Sequence, residues 1–210
     1  MNVDWPTVSS IATAAGTLVL AVATFASVRS ASRAARVAER TLLAGLRPVL
    51  APARREDPPQ KVGFVDQRWM VVAGGEGAAE IGDGAIYLAI AVRNVGSGMA
   101  VLHGWDVHTE RELSNVPHRS VDTFRRLTRD IYVPPGDVGF WQGAFRDAAE
   151  AVFFEVREAV TEPRRFTVDV LYGDHEGGQR AVTRFALTPH NDRWIAVVSR
   201  HWNVDRADPR

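Results

Sequence analysis

The stretch from Pro6 to Val28 constrains this chain more than any other, because it holds 23 consecutive residues without a charge. At a rise of about 1.5 Å per residue, about 20 residues cross a hydrocarbon core of ~30 Å, so this length suits one membrane crossing. The composition is less apolar than the length, since Ala, Ser and Thr outnumber Val, Leu, Ile and Phe. The stretch therefore predicts a transmembrane helix of marginal hydrophobicity.

Two other interpretations of this stretch stay open. A secretion signal, cleaved near Ala26, would begin with a basic segment, whereas this chain carries its arginines after the apolar run. A buried core helix normally has polar residues on one face, and here no charge interrupts the run. Both fit less well than a retained anchor.

A cationic segment at 29–47 follows the apolar run directly. At ~100° per residue its five arginines fall within an arc of roughly 60° on a helix that continues out of the membrane. By the positive-inside rule they mark the cytoplasmic side of a bacterial inner membrane, with the N-terminus outside and the rest inside. These predicted topology residues, which also contact anionic lipid headgroups, are Arg29, Arg33, Arg36, Arg40 and Arg47.

The opposite face of the same helix carries small and apolar residues at heptad-like spacing. This stripe predicts pairing with a second copy in a parallel homo-oligomer, and a small-xxx-small pattern inside the span extends it. The alternative is that the arginines only fix topology and the stripe has no partner. The predicted pairing residues are Ala12, Gly16, Ala31, Ala35, Ala38 and Leu42.

Composition limits the chemistry available to the rest of the chain. There is no cysteine, which excludes disulfides, thiolate metal sites and cysteine nucleophiles. Residues 48–210 hold 20 basic and 23 acidic residues, a net charge of −3, so no nucleic-acid partner is expected. The predicted organisation is a tail and transmembrane helix at 1–28, a juxtamembrane helix at 29–47, a Pro-rich connection at 48–61, a β-sandwich at 62–205 and a tail at 206–210.

The region after Pro48 shows short apolar runs separated by turn signals. This spacing predicts a mainly β domain, an antiparallel and Ig-like β-sandwich. A near-continuous apolar run at 85–95 predicts a central strand, and the sequence GDHEGG predicts a hairpin turn at 173–178. The predicted strands are 68–73, 85–95, 99–109, 138–144, 166–172, 180–187 and 194–202, with a Gly-rich loop at 74–84.

One amphipathic helix is predicted at 145–160, between two of these strands. Apolar residues recur there at helical spacing from Phe145 to Val160, charged residues lie between them, and Pro163 ends the pattern. Such a helix would pack on an edge of the sandwich and protect an edge strand.

The sequence contains no recognised catalytic, metal-binding or phosphate-binding motif. His103 and His108 lie five apart on one predicted strand and would point to opposite faces, so they would not share a metal. The Asp-His-Glu run around His175 is interpreted as a solvated turn. No cofactor is expected and the protein is not predicted to be an enzyme. Tryptophans at 69, 105, 141, 194 and 202 are expected in the core, and any exposed one would mark a partner-binding face.

Several longer phrases support an origin and a topology. They are AVRNVGSGMA at 91–100, RDIYVPPGDVGFWQGAFRD at 129–147 and FTVDVLYGDHEGGQRAVTRFAL at 166–187, after Arg47-Pro48. The chain resembles a group of small, uncharacterised actinobacterial proteins with one N-terminal membrane span and a compact β-rich domain. The resemblance implies a GC-rich bacterial source, consistent with a single lysine, Lys61, and brings no activity or catalytic residue.

These patterns favour a membrane-tethered, non-enzymatic interaction or scaffold module that presents a cytoplasmic β-sandwich to a protein partner. The alternative is a small-ligand sensor or hydrolase, with a site between the helix at 145–160 and the sheet.

The predicted orientation can be checked with reporters fused after Arg210. A reporter active only in the cytoplasm should give full signal, because the arginines after Val28 hold their side of the span inside. A matched fusion to a reporter active only in the periplasm is the control. Signal from the periplasmic reporter alone would contradict the predicted orientation.

Overall fold

The computed structural model describes residues 5–109 and 116–207 of the chain. It divides into two compact units, a helical one that ends at Ala44 and a second one, here called the β domain, that begins at Gly45.

The first unit is a single α-helix, α1, which runs from Trp5 to Gly45 without a break. The prediction that the apolar run and the arginine-bearing segment form one helix is therefore confirmed as far as Gly45, whereas Arg47, at the end of the helix predicted at 29–47, lies outside it. Within it, Ser9–Leu43 is long and apolar enough to cross a membrane, and its most apolar stretch of 18 residues has a mean hydropathy of 1.9. It is the one such helix in the part of the chain that the structure describes.

Several hydroxyl groups of α1 find their hydrogen-bond partners within the helix. Each of six Ser or Thr hydroxyls donates to the carbonyl four residues earlier, at 2.6–2.9 Å. A hydroxyl satisfied within its own helix does not need water, which the hydrocarbon core lacks. These residues are Ser10, Thr13, Thr17, Thr24, Ser32 and Thr41.

The β domain is built on strands that all pair antiparallel. They are β1 Leu50–Pro52, β2 Gln60–Gly63, β3 Trp69–Val72, β4 Glu76–Gly82, β5 Ala85–Asn94, β6 Ala100–His108, β7 Arg125–Val133, β8 Val138–Phe145, β9 Phe166–Gly173, β10 Ala181–His190 and β11 Arg193–Asn203. One helix, α2, spans Ala151–Thr161. β2 and β3 form a separate two-stranded ribbon, and the other nine strands form one sheet.

The main sheet runs in the order β1-β5-β4-β11-β10-β9-β6-β7, and β8 pairs with the edge of β5 opposite to β4. It curls around one apolar core, in which Trp105 meets Trp141 and Phe145 edge to face at ring distances of 5.4 and 5.1 Å. The mainly β, antiparallel class is confirmed. The Ig-like sandwich is not confirmed, because the nine strands belong to one continuous sheet.

Strand β5 is buried on both of its faces, as its apolar sequence predicts. Ile86, Leu88 and Ile90 point into the main core, whereas Tyr87 and Ala89 pack against a second core under the β2–β3 ribbon. A strand covered on both faces needs apolar residues at every position, and this explains the near-continuous run.

Two sequence predictions about element boundaries are wrong. The helix predicted at 145–160 begins only at Ala151, because Phe145 is the last residue of β8, and the Asp147 carboxylate accepts the N–H of Ala149 in a turn. The predicted Gly-rich loop at 74–84 contains strand β4. There, a Cβ on Gly77 would lie 2.3 Å from a methyl of Leu187, so this glycine serves close packing.

The chain enters the β domain through a segment held by the turn after β5. The N–H groups of Ser97 and Gly98 donate to the carbonyl of Arg47, at 3.0 and 3.3 Å. A Cβ on Gly98 would lie 1.7 Å from the carbonyl oxygen of Leu46, so only glycine allows this approach. The segment predicted as a connection at 48–61 therefore begins inside the fold and contributes β1.

Asn94, at the end of β5, holds the segment through which the chain enters the β domain. Its side chain is fully buried and accepts the N–H groups of Val49 and Gly96, and it donates to the carbonyls of Gly98 and Val133. Each of these backbone groups would otherwise be buried without a partner.

Replacing Asn94 by alanine should lower the free energy of unfolding of the β domain by about 2–4 kcal/mol, because several buried polar groups lose their partner at once. Urea unfolding of the detergent-solubilised full chain, followed by tryptophan fluorescence, measures this. Glu176→Ala, at an exposed hairpin tip, is the control and should change little. A loss below about 0.5 kcal/mol in Asn94→Ala would contradict the role given to this side chain.

Candidate functional site

The predicted topology arginines separate into two groups. Arg29, Arg33, Arg36 and Arg40 are exposed side chains of α1. Arg47 lies in the β domain, where its guanidinium donates to Asn203 Oδ1 at 2.6 Å and lies 3.4 Å from His201 Nε2. Arg47 therefore holds the first residues of the β domain against β11, a role that the sequence pattern did not indicate.

The predicted helix-pairing stripe is exposed along α1. Gly16, Ala31, Ala35, Ala38 and Leu42 all have exposed positions, and Gly16 has open space around it. The side chain of Ala12 lies outside the described residues. Pairing of this stripe with a second copy stays a prediction.

A cavity of about 270 Å³ lies between α2 and the end of β6, where the sequence placed the alternative ligand site. It lies against the first turns of α2 and a buried histidine of β6. Its lining residues are Val107, His108, Thr109, Arg119, Ala151, Val152 and Glu155.

Behind this cavity lies a buried ion pair between neighbouring strands. Arg184 of β10 donates to both carboxylate oxygens of Asp169 on β9, at 2.6 and 2.7 Å, and His108 Nε2 lies 3.2 Å from Asp169. Burial alone would raise the pKa of Asp169, but the hydrogen bonds from Arg184 and His108 hold it below its usual value. Asp169 is therefore an ionised partner of Arg184 at neutral pH.

The cluster of Asp169, Arg184 and His108 fits a structural role better than a catalytic one. A histidine oriented by a carboxylate can serve as a general base when a nucleophile lies within hydrogen-bond reach. Thr109 is the one hydroxyl among the residues that line the cavity, and it donates to Glu155 at 2.9 Å. The His108–Asp169 pair thus has no hydroxyl nucleophile beside it in this lining.

The prediction that His103 and His108 point to opposite faces assumes a regular strand. Strand β6 is not regular, so the spacing of the two histidines does not by itself decide which faces they occupy. A register shift between Leu102 and Gly104 lets Leu102 and Trp105 both enter the main core. His103 lies next to Gly173, whereas His108 contacts Asp169. In residues 5–109 and 116–207, no group of three or more His, Asp or Glu is arranged to hold a metal.

Strands β7 and β8, each paired with one neighbour only, form an open seam. They are consecutive in the chain and are joined by a turn at 134–137, yet among the described residues no backbone ladder connects them. β7 pairs with β6 and β8 pairs with β5, so each turns its other edge towards the seam. At the turn the strands are close, since a Cβ on Gly139 would lie 2.8 Å from a methyl of Val133.

Away from the turn, the seam widens into a cavity of about 190 Å³, here called the seam cleft. Three arginines lie among its lining, together with the buried amide of Gln142, and no carboxylate does. Its lining residues are Phe64, Trp105, Arg125, Arg126, Thr128, Gln142, Gly143, Ala144 and Arg146.

Trp69 is the tryptophan that departs from the core expectation. The other four strand tryptophans are at most 9% exposed, whereas Trp69 on β3 is 69% exposed. Its ring covers Gly63, where a Cβ would lie 2.9 Å from the indole. It lies on the same ribbon as Val71, which is also exposed, so the ribbon presents apolar surface outward.

Replacing Asp169 by asparagine should lower the free energy of unfolding by about 3 kcal/mol, because Arg184 loses its counter-charge in a buried site. The double variant Asp169→Leu with Arg184→Met should recover most of this loss. Urea unfolding measures both, with Asp130→Asn on the exposed face of β7 as the control.

The same substitution should alter the pH dependence of stability. Because the folded pKa of Asp169 is depressed, its contribution is complete above the unfolded value of about 3.9 and is lost as pH falls through the folded pKa. Wild-type stability should therefore fall below about pH 4, and Asp169→Asn should lack part of that fall. Identical pH profiles would contradict this assignment.

Comparison with known proteins assigns no activity to these sites. No protein-family model matches the chain, and no curated protein matches it. The resemblance to small actinobacterial membrane proteins stays a prediction.

Proposed function

We propose that this protein is a membrane-tethered, non-enzymatic binding module, in which α1 is the anchor and the β domain captures an extended segment of a protein partner. The observation that carries the proposal is the open seam between β7 and β8. A segment inserted there would add a strand to an exposed sheet edge, a common mode of peptide recognition.

The seam offers what strand addition needs. Each flanking strand pairs with a neighbour on one side only, so its other edge carries backbone N–H and C=O groups available to a partner. β7 is also less embedded than the other long strands, since Arg126, Thr128 and Arg129 are exposed. Its charged side chains would discourage unspecific pairing and leave the edge to a complementary segment.

The anchor supports the membrane part of the proposal. α1 continues from the apolar stretch through Arg29, Arg33, Arg36 and Arg40, all exposed. A span followed by arginines favours a single-pass inner-membrane protein with its N-terminus outside and the β domain in the cytoplasm. The exposed face of α1 could then pair with a second copy.

A second candidate function belongs to the cavity between α2 and β6. Its buried His108–Asp169 pair favours a small-ligand sensor or hydrolase. It ranks second because the hydroxyl in the cavity lining is hydrogen-bonded to Glu155 and not to His108.

Strand addition can be tested on the full chain in phosphatidylcholine nanodiscs with a displayed library of linear decapeptides. Selected peptides should bind, and N-methylation at alternate residues should weaken binding at least tenfold, because it removes the backbone donors that a β-ladder requires. A peptide with the same residues in shuffled order is the control.

The position of the bound peptide is tested with a photo-cross-linking residue at Thr128, which lines the seam cleft, or at Phe154, which is exposed on α2. Cross-linking from Thr128 and not from Phe154 is expected. Equal binding of the N-methylated peptides, or equal cross-linking from both positions, would refute the proposal.

A further inference from the structure

We infer that the seam cleft is the subsite for one carboxylate, supplied by an acidic side chain of the captured segment. This inference rests on the proposed function, since it assigns the segment's chemistry. It is carried by the charge of the cleft, by a buried amide in its wall and by its size.

The charge of the lining is entirely positive. Arg125 and Arg126 of β7 and Arg146, which follows β8, border the cleft, and its nine lining residues include no Asp or Glu. A guanidinium presents a planar fork of N–H donors that matches a carboxylate.

Two of these arginines are held in place by groups outside the lining. Arg125 pairs with Glu150 and lies over the Phe145 ring at 4.5 Å. Arg146 lies 3.2 Å from Asp66, which also accepts the Tyr87 hydroxyl at 2.5 Å. The guanidinium groups are therefore positioned before any ligand arrives, which reduces the entropy lost on binding.

The third arginine has no such partner. Arg126 is exposed, and none of the residues in the described part of the chain forms an ion pair with it. Because Glu150 and Asp66 offset the charges of Arg125 and Arg146, Arg126 leaves the cleft with a net positive charge, which attracts an anionic side chain.

Gln142 gives the second, independent sign of a ligand. Its residue is only 4% exposed, it lines the cleft, and its Oε1 is buried without a hydrogen-bond partner. An unsatisfied buried polar atom costs stability, and a ligand in the cleft would supply the partner that Oε1 lacks. The amide can accept a backbone N–H of the segment through Oε1 and donate to the carboxylate through Nε2.

The size of the cleft limits the part of the captured segment that enters it to one small side chain. Sites for drug-sized ligands are about 300–1,000 Å³, whereas this cleft is about 190 Å³. Gly143 lets the Trp141 and Trp105 rings pack directly against β8 beside the cleft, because a Cβ there would lie 2.8 Å from the Trp141 ring and 2.9 Å from the Trp105 ring. A single Asp or Glu side chain matches this volume.

Trifluoroacetate is the probe for this subsite, because its ¹⁹F line broadens when it binds even weakly to the full chain in phosphatidylcholine nanodiscs. Saturable broadening is expected for the wild type. It should fall at least fivefold in Arg126→Ala and in Gln142→Leu. Arg165→Ala, another exposed arginine without an ion pair in the described chain, is the matched control and should leave it unchanged.

Thermal unfolding of the same variants separates binding from folding. If Gln142 serves a ligand, Gln142→Leu should keep or raise the melting temperature while it loses the probe; a large fall would indicate a structural role and overturn the inference. No saturable broadening, equal broadening in Arg126→Ala, or tighter competition by inorganic phosphate would also overturn it. Because the probe has no backbone, this result is independent of the peptide methylation experiment.

Discussion

The need to bury both faces of β5 shapes the β domain. One face is covered because the main sheet curls back on itself, and the other is covered by the β2–β3 ribbon. The curl brings β7 and β8 towards each other without pairing them, and the ribbon places Phe64 at the gap between them. The seam cleft is thus a consequence of how a doubly apolar strand is enclosed.

Charge is distributed over this framework in two different ways. Asp169 and Arg184 form an ion pair that is almost fully buried from solvent, in which each charge neutralises the other. At the seam, arginines outnumber the nearby acids, and one of the three has no counter-charge among the described residues. The buried pair fixes neighbouring strands to each other, and the arginines of the seam leave a positive potential that an anionic ligand can neutralise.

Local pattern predicted those elements whose surroundings are simple. β5 followed from an apolar run that only a doubly buried strand needs, and the β9–β10 hairpin followed from its GDHEGG turn. β7 was missed because only Ile131 and Val133 are buried in it, and the exposed arginines hide its alternation. β4 was missed because glycines chosen for close packing resemble glycines of a loop.

The seam cleft could not be predicted, because Arg126 and Gln142 come to line one cavity only when the sheet curls. The one local sign is Gln142 itself, a polar residue inside the apolar strand VGFWQGAF. In the helix predicted at 145–160, by contrast, the local pattern indicated more helix than the structure has. Phe145 continued a helical spacing by coincidence, although its side chain belongs to the strand before the turn.

The contact between Arg47 and Asn203 gives the β domain a mechanical property. It joins the first residues of the domain to the end of its last strand, so two segments far apart in the sequence are tied at one place. A pull applied at the entry would load β1, β5 and β11 near that point. The cleft is lined mainly by residues of β7 and β8, which lie outside that set of strands, so tension at the entry and occupancy of the cleft would be decoupled.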